Sequence, residues 1–314
     1  MTVLAMLHPT TLVGREIRET LENHRSLWSQ LNLFSTNEAE VGTLVDVRGA
    51  AAMVQELRGD SLEGADVVLL CGPWAACAPA LEQLPPAATA LVLSPDAGVA
   101  AGNPIVAGIN LEDAQRGERM LSPHPAAVAL GLILKPLAGL GLSAVTATVI
   151  QPASMRDQEG LDELFEQTRR VLAFAGEQPR EVFGRQLAFN LFPPEDAAPP
   201  VAELVTALVD SAPKLSVEIL QGGFFHGCAL SLALGFTEDP GTEAIRDALS
   251  DAPHLEWAGD DELSPVDAAA REDVLIGRLR RDAGGYRLWS VSDNLTRGSA
   301  LNAVEILRHL FDQG

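Results

Sequence analysis

Residues 2–23, TVLAMLHPTTLVGREIRETLEN, set the fold that we expect for the first part of the chain. Thr2 to Leu7 form a short apolar run of the length typical of a strand. After a small loop, Val13, Ile17 and Leu21 recur at helical spacing, which predicts a helix over Val13 to Asn23. Strand, tight turn and helix in this order predict the opening of a βαβ unit.

The same pattern continues to about residue 120. Further strands are expected at Leu31 to Ser35, Asp66 to Leu70 and Ala90 to Leu93, and helix-like connectors at Ala50 to Leu57 and Ala75 to Leu84. The runs DVVLL and ALVL are almost wholly apolar, as strands buried on both faces of a parallel sheet require. The first part of the chain therefore predicts a doubly wound α/β domain.

The pattern changes after about residue 126. An apolar helix interrupted by Pro136 is expected over Ala126 to Leu140, followed by strands and helices that do not alternate. These are strands at Ala144 to Gln151, Leu215 to Leu220, Ala229 to Phe236, Val274 to Arg280 and Tyr286 to Ser292, and helices at Gly160 to Ala175, Thr242 to Ser250 and Ser299 to Phe311. This order predicts an α+β second domain, and 314 residues at roughly 150 per domain suit two domains.

The charge balance excludes several classes of partner. Lys and Arg number 22 against 43 Asp and Glu, a formal net charge of −21, whereas nucleic acids and anionic membrane surfaces are bound by clustered basic residues.

The longest apolar stretch, Leu121 to Leu134, is shorter than the roughly 20 residues that span a bilayer, and the N-terminus lacks the pattern of a signal peptide. Three cysteines, Cys71, Cys77 and Cys228, make no CxxC pair, so we expect a reduced, cytoplasmic protein.

Six blocks of sequence point to a family. They are QPAS (151–154), GLDELFEQT (160–168), AFNLFP (188–193), SPVDA (264–268), VLIGRLRRD (274–282) and DNLTRGSALNAV (293–304), the last being the most specific. Through them the chain resembles the aspartate-semialdehyde dehydrogenase family, including its catalytically altered, USG-1-like relatives, over nearly its whole length. The resemblance implies a Rossmann-type NADP domain, residues 1–122 with 298–314, and an α+β dimerisation domain, residues 123–297.

The family's reaction is the NADPH-dependent interconversion of aspartyl phosphate and aspartate semialdehyde. The resemblance implies that it needs a cysteine thiolate, a histidine acid/base, an arginine for the substrate carboxylate and a glycine-rich cofactor loop. Each of these places can be compared with the present chain.

The family's GxxGxxG-like cofactor turn corresponds here to HPTTLVG, in which only Gly14 matches and His8 and Thr11 take the first two glycine places. Those glycines permit a tight turn and the close approach of backbone N–H groups to a pyrophosphate. We expect the two side chains to obstruct that approach, and Pro9 removes one N–H donor. The prediction is a vestigial cofactor site at His8, Thr10, Thr11 and Gly14, with another anion at the helix N-terminus as the alternative.

The end of the second strand also disfavours NADP. NADP-dependent members carry Arg or Lys there for the 2′-phosphate, whereas Phe34 to Glu40 (FSTNEAE) has two acids and no basic residue. An acid at this place would suit the ribose hydroxyls of NAD, which stays open as an alternative to a solvated loop. We therefore expect no cofactor, and NADP or NAD only if the site is retained.

The family's three catalytic places carry other residues. Counting back from Lys135-Pro136-Leu137 puts Pro125 in the place of the cysteine, and the segment QGGFFHGCA (221–229) puts Gln221 in that of the arginine and Cys228 in that of the histidine. Proline has no nucleophile, glutamine lacks the charged bidentate grip of arginine, and a thiol is a poor general acid/base. No intact catalytic residue is expected.

New chemistry at Cys228 is the alternative. With His226 and His124 it would form a migrated Cys/His pair or a zinc site. No CxxC or HExxH spacing supports a metal, and a cysteine on a strand often serves as a small buried hydrophobe. The prediction is therefore no metal.

The sequence that specifies packing persists while the catalytic groups are gone. We therefore expect a non-catalytic homodimer with an interaction or regulatory role, paired with itself and with an active relative or another biosynthetic enzyme. One alternative is an NAD(P)-dependent semialdehyde dehydrogenase of aspartate-family amino-acid biosynthesis with a rearranged site. The other is a small-molecule binding protein that uses the old cleft.

Overall fold

The chain forms two compact units. Unit 1 comprises Met1–Val128 with Gly298–Gly314, and unit 2 comprises Ala129–Arg297. The computed structural model describes residues 2–194, 199–259 and 263–312. Within those ranges, every helix is too short or too polar to cross a lipid bilayer.

Unit 1 is built on a seven-stranded sheet in which every pairing is parallel. Its strand order is β5-β2-β1-β6-β7-β9-β8, and β3 and β4 form a separate antiparallel hairpin. The strands are β1 (Val3–Leu7), β2 (Gln30–Ser35), β3 (Leu44–Val47), β4 (Ala50–Met53), β5 (Gln55–Glu56), β6 (Val67–Leu70), β7 (Thr89–Val92), β8 (Asn103–Pro104) and β9 (Arg119–Leu121). The predicted Rossmann-type sheet is confirmed.

The strand order creates a switch point beside β1. The chain passes from β1 outward to β2 and later returns to pair β6 on the other side of β1. In sheets of this kind, ligands bind at the carboxyl ends of the two strands that flank such a reversal. The residues that follow β1 and β6, His8 and Cys71-Gly72, therefore occupy the place where a ligand is expected.

The hairpin β3–β4 replaces a predicted helix-like connector, and the expectation for Ala50 to Leu57 is wrong. Arg48 and Gly49 form the two-residue turn with φ of 58° and 78°, a conformation for which Asn-Gly is the usual signal. The Arg48 guanidinium lies 3.5 Å from the centroid of the Trp28 ring and donates to the Trp28 carbonyl at 2.8 Å. These contacts hold an arginine in a conformation that its residue type does not predict.

Two helices follow the first strands of unit 1. Helix α1 (Leu12–Asn23) buries Leu12, Val13, Ile17 and Leu21 on one face. Helix α2 (Trp74–Cys77) is a single turn that continues as a 3-10 helix over Ala78–Gln83. Both lie where the apolar spacing predicts helix.

Unit 2 is built on a second seven-stranded sheet, of mixed direction, with the order β11-β12-β10-β13-β16-β15-β14. The strands β15 and β16 pair antiparallel as predicted. The strands are β10 (Leu142–Gln151), β11 (Leu191–Phe192), β12 (Lys214–Gly222), β13 (Cys228–Phe236), β14 (Leu255–Gly259), β15 (Val274–Asp282) and β16 (Gly285–Ser292). The predicted α+β second domain is confirmed.

Among the described residues, four helices belong to this part of the chain: α3 (Pro125–Ala138), which starts in unit 1, α4 (Asp157–Leu172), α5 (Val201–Leu208) and α6 (Thr242–Ser250). Helix α3 runs through Pro136 to Ala138, so the expected interruption is wrong. Pro136 lies in the last turn of the helix, where one missing hydrogen bond removes little of the helix.

One face of the unit 2 sheet is open. Along β10 the side chains of Val145, Ala147 and Val149 are buried, whereas those of Thr146 and Thr148 point to the other face and are less buried. Residues paired across adjacent strands share a face, which gives two rows across the sheet. The first row is Glu218, Thr148, Ser231 and Trp289, and the second is Ser216, Thr146, Ala233, Arg287 and Arg280. Together these two rows are called the open face below.

The C-terminal helix returns to unit 1. A π-helical turn over Thr296–Leu301 leads into α7 (Asn302–Asp312). The fully buried amide of Asn302 donates to the Ile105 carbonyl and the Ser122 hydroxyl at 2.9 Å each, and accepts from the Ala107 N–H at 2.9 Å. One side chain thus joins the last helix to the segments on either side of β9.

Candidate functional site

The turn after β1 bends at a histidine. His8 has φ of 54°, a left-handed conformation that side chains with a Cβ rarely adopt. Its imidazole is 3% exposed, with Nδ1 lying 3.2 Å from the Ser35 hydroxyl and Nε2 lying 3.1 Å from the Thr36 hydroxyl. The ring is therefore turned into the protein, toward the end of β2.

The imidazole lies directly against Gly72. A Cβ built on Gly72 would approach His8 Cδ2 to 2.5 Å, which no real Cβ contact tolerates. Since Gly72 follows β6 and His8 follows β1, the ring fills the switch point between these two strands. The space that a pyrophosphate would enter is occupied by a side chain of the protein itself.

Thr11 and Gly14 serve the start of α1. The Thr11 hydroxyl accepts from the Gly14 N–H at 3.1 Å and lies 2.9 Å and 3.0 Å from the carbonyl oxygens of His8 and Cys71. A Cβ on Gly14 would lie 2.6 Å from the His8 carbonyl oxygen, so only glycine allows the turn to pack this closely on the helix. The helix N-terminus is thus capped from within the chain.

An acidic residue completes the network at the end of β2. The Glu40 carboxylate lies 3.4 Å from His8 Nδ1. Burial acts to raise the pKa of Glu40, but hydrogen bonds to His8, Ser35 and Thr10 outweigh it and leave the pKa below its ordinary value. A carboxylate that stays ionised here repels a phosphate group.

The start of α3 carries a capping histidine and a proline. Pro125 is the first residue of the helix, and a Cβ on Gly298 would lie 2.6 Å from its Cβ, so the proline is closely covered. His124 Nδ1 accepts from the Ala126 N–H at 3.1 Å, which places the ring proton on Nε2. Nε2 has no partner among the residues that the structure describes, and burial lowers the pKa of His124 to about 4.

In unit 2, Gln221 forms a closed amide pair with Gln151. The Gln151 side chain donates to Gln221 Oε1 at 3.1 Å, and Gln221 Nε2 donates to the Gln151 carbonyl at 3.1 Å. The two residues are directly paired across β10 and β12, and Gln221 is 1% exposed. Its polar atoms are bound within the sheet rather than presented to a carboxylate.

Cys228 is a buried thiol at the start of β13. It is 2% exposed, and burial raises its pKa to about 12, so it is not a thiolate near neutral pH. Asn294 stabilises the loop that precedes Cys228. Its side chain accepts from the Gly227 N–H at 2.9 Å and donates to the Ser154 hydroxyl at 3.1 Å. Within the described ranges of the chain, no group of three or more His, Cys, Asp or Glu side chains is placed to hold a metal ion.

A cavity of about 230 Å³ opens beside Gln221 in unit 2. Charged, amide and aromatic groups share its wall. The lining residues are Arg156, Glu181, Val182, Phe183, Gly184, Phe192, Pro194 and Gln221. Its volume is below the roughly 300–1,000 Å³ of typical ligand sites, so a small-molecule binding role here would require a compact ligand.

Comparison with known proteins places this geometry in a family. Residues 134–297 match the model of the semialdehyde dehydrogenase dimerisation domain. A USG-1 protein homologue from Azotobacter vinelandii is 32% identical over 332 residues, which cover 99% of this chain and 98% of that one. The chain belongs to the aspartate-semialdehyde dehydrogenase family. The predicted resemblance, including its USG-1-like character, is confirmed.

Two further relatives fix the extent of the match. The aspartate-semialdehyde dehydrogenase of Bacillus subtilis is 27% identical over 338 residues, which cover 98% of this chain and 96% of the enzyme. The structure of a probable aspartate-semialdehyde dehydrogenase from Pseudomonas aeruginosa superposes with a TM-score of 0.85 and 24% identity, covering 97% of each chain. The similarity therefore spans both units of the chain.

The residues of unit 1 do not fit the NADP that the family implies. His8 fills the turn, the Thr11 hydroxyl caps the helix N-terminus, and the ionised Glu40 at the end of β2 would repel a phosphate. The structure brings the predicted residues His8, Thr10, Thr11 and Gly14 together around one turn, bonded to one another and to Glu40 rather than arranged as a cradle of free N–H donors.

Three contacts of the site cannot be predicted from the local spacing of residues. Gly72 is recognisable as the seat of the imidazole only once β1 and β6 are side by side, and the Gln151–Gln221 pair depends on the register of β10 and β12. Asn294 lies in the DNLTRGSALNAV block, which predicts its importance but not its bonds to Gly227 and Ser154. Long-range pairings of this kind follow from topology rather than from local spacing.

We predict that Gly72→Ala destabilises the protein by about 1–3 kcal/mol, because the new methyl group collides with the His8 ring. In a His8→Gly background the same substitution should cost much less, since the ring is gone. Urea unfolding of the four proteins gives this double-mutant cycle. Gly59→Ala is the control, because a Cβ there meets nothing within 4 Å. If Gly72→Ala lowers the free energy of unfolding equally in both backgrounds, the His8 ring does not lie against Gly72.

We predict that His124 makes the protein acid-sensitive. The unfolded chain protonates this residue near its ordinary pKa of 6.5, and the folded chain only near 4. Between these values the unfolded state binds more protons, so the free energy of unfolding falls as the pH falls, by about 3 kcal/mol in total. His124→Asn should remove that part of the pH dependence, measured by urea unfolding at pH 7, 5.5 and 4.5, whereas His226→Gln, at an exposed position, should not.

Proposed function

We propose that this member of the family is a non-catalytic, homodimeric protein of the cytoplasm that acts by interaction or regulation. The observation that supports the proposal is that Pro125 is the first residue of α3, at the position that the family resemblance assigns to the cysteine. Proline offers neither a nucleophile nor an N–H group, so an acyl intermediate has no atom to form on there.

The two other catalytic places support the same conclusion. Gln221 is closed on Gln151 by two hydrogen bonds, and it carries no charge with which to hold a carboxylate. The Cys228 thiol is buried and has a pKa of about 12, so it neither donates nor accepts a proton efficiently near neutral pH. Removing any one of the groups that act as a catalytic unit lowers the reaction rate thousands-fold or more. The joint absence of all three therefore amounts to loss of the family reaction.

Absence of cofactor binding belongs to the same proposal. Hydride transfer needs a nicotinamide held at the switch point of unit 1, and the His8 ring lies in that space against Gly72. The carboxylate of Glu40 adds repulsion toward a phosphate.

Homodimer formation is supported by the dimerisation-domain match and by the open face of unit 2. Glu218 lies at one side of this face, on β12, and Arg287 lies at the other, on β16. A two-fold axis along the strands stacks two copies with Glu218 over β16 of the second copy, at the row of Trp289 and one row from Arg287. An axis across the strands sets like charges over each other, so charge favours the first arrangement.

We predict no turnover of aspartate semialdehyde by the purified protein with NADP and phosphate, and no rise in its melting temperature with NADPH. A ligand that binds only the folded state must stabilise it, so a constant melting temperature means that NADPH does not bind. The Bacillus subtilis enzyme, run in the same assays, is the positive control. Phosphate-dependent turnover above the level of a mock purification would refute the proposal and favour a rearranged active site.

We predict that Glu218→Arg weakens the homodimer about tenfold or more, because it brings an arginine into the row next to Arg287 of the second copy, within reach of two long side chains. The double variant Glu218→Arg/Arg287→Glu should recover most of the affinity, since it reverses the pair. Sedimentation equilibrium measures both dissociation constants. A double variant no tighter than the single one would mean that another surface forms the dimer.

A further inference from the structure

Helix α4 carries an exposed apolar stripe. Phe165 and Leu172 are 62% and 67% exposed. The stripe also includes the half-buried Leu161, which packs in part against the core of unit 2, and the half-buried, polar Thr168. Phe174, just beyond the end of the helix, is 97% exposed. Large apolar side chains that lie together on a surface in this way mark a site of association.

The opposite side of α4 is firmly anchored within unit 2. The buried Glu163 carboxylate accepts from the N–H groups of Val182 and Phe183 at 2.7 Å and 3.1 Å. The fully buried Gln167 accepts from those of Leu187 and Ala188 at 2.6 Å and 3.0 Å. The helix is therefore already ordered, and a partner docking on the stripe does not have to order it.

The stripe has the spacing of a coiled-coil seam. Leu161, Phe165, Thr168 and Leu172 follow one another at intervals of four, three and four residues, which assigns them to d, a, d and a positions of a heptad. This spacing fits another helix of similar pattern, laid along α4, rather than a sheet or an irregular loop.

The charges beside the seam identify that helix. The e positions of this heptad are Asp162, in the acidic first half of α4, and Arg169, in its basic last turns. When two identical helices pack antiparallel, their e positions face each other, which sets Asp162 of each copy beside Arg169 of the other. A parallel arrangement brings like charges and like helix ends together instead.

Arg169 already bonds to Glu166 on its own helix, with Nη2 2.8 Å from Oε1. This ion pair is exposed, and such pairs contribute at most about 1 kcal/mol. Arg169 can therefore exchange Glu166 for an aspartate of a second copy, or bond to both acids, at little cost in free energy.

We propose that α4 is a second self-association surface, which docks antiparallel on α4 of another copy of this chain through Phe165, Leu172 and reciprocal Asp162–Arg169 pairs. This contact is separate from the open face and does not rest on the dimer proposed there. Where both contacts form, homodimers join into larger assemblies through their α4 helices.

The test measures the mass of the intact protein by sedimentation and light scattering over a range of concentrations. Asp162→Arg and Arg169→Asp should each weaken the α4 association about tenfold, because each sets like charges together at two places. The double variant Asp162→Arg/Arg169→Asp should restore it. Glu159→Arg makes an acid-to-arginine change on the same helix, outside the seam, and is the matched control.

Leu172→Gln supplies a measurement that does not depend on charge. Its side chain is exposed, so the variant should keep the wild-type melting temperature while losing the α4 association. The proposal is overturned if Asp162→Arg behaves like Glu159→Arg, if the double variant is no better than the single ones, or if Leu172→Gln assembles as the wild type does. Glu218→Arg separates the two surfaces, because it should leave the α4 association intact whether or not the open face forms a dimer.

Discussion

The imidazole of His8 fills the place in unit 1 where a ligand is expected. A parallel sheet with a reversal in strand order offers a ligand one crevice, at the carboxyl ends of the two strands that flank the reversal. In this chain the ring lies in that crevice against Gly72, with its nitrogens bonded to Ser35 and Thr36. The surrounding residues are fitted to the ring: Gly72 leaves room for it, Thr11 caps the helix behind it, and Glu40 lies beside it.

Internal bonding of the same kind recurs at other polar groups of the two units. His124 Nδ1 accepts from the start of α3, and the Gln221 amide is bonded to Gln151. Cys228 begins a strand with its thiol buried. Under the proposed function these groups serve the packing of their own units, and the exposed surfaces of unit 2 are what the protein would use.

Much of the fold follows from the sequence, because it rests on local spacing. The buried parallel strands, α1, α6 and the antiparallel pair β15–β16 all lie close to where apolar periodicity predicts them. The hairpin β3–β4 was not predicted, because its turn holds Arg48 by contacts with Trp28, which is distant in sequence. Likewise the resemblance to the family singles out His8, Pro125, Gln221 and Cys228, whereas the contacts of His8 with Gly72 and of Gln221 with Gln151 depend on strand order and register.

The amide of Asn302 has a consequence for the order in which the protein is made. It bonds to residues 105, 107 and 122 from a position that follows the whole of unit 2 in sequence, so unit 1 lacks α7 until unit 2 has been synthesised. Unit 2 is contiguous in sequence and leaves the ribosome before α7 is available. The second unit can thus reach its native state on the nascent chain before the first is complete.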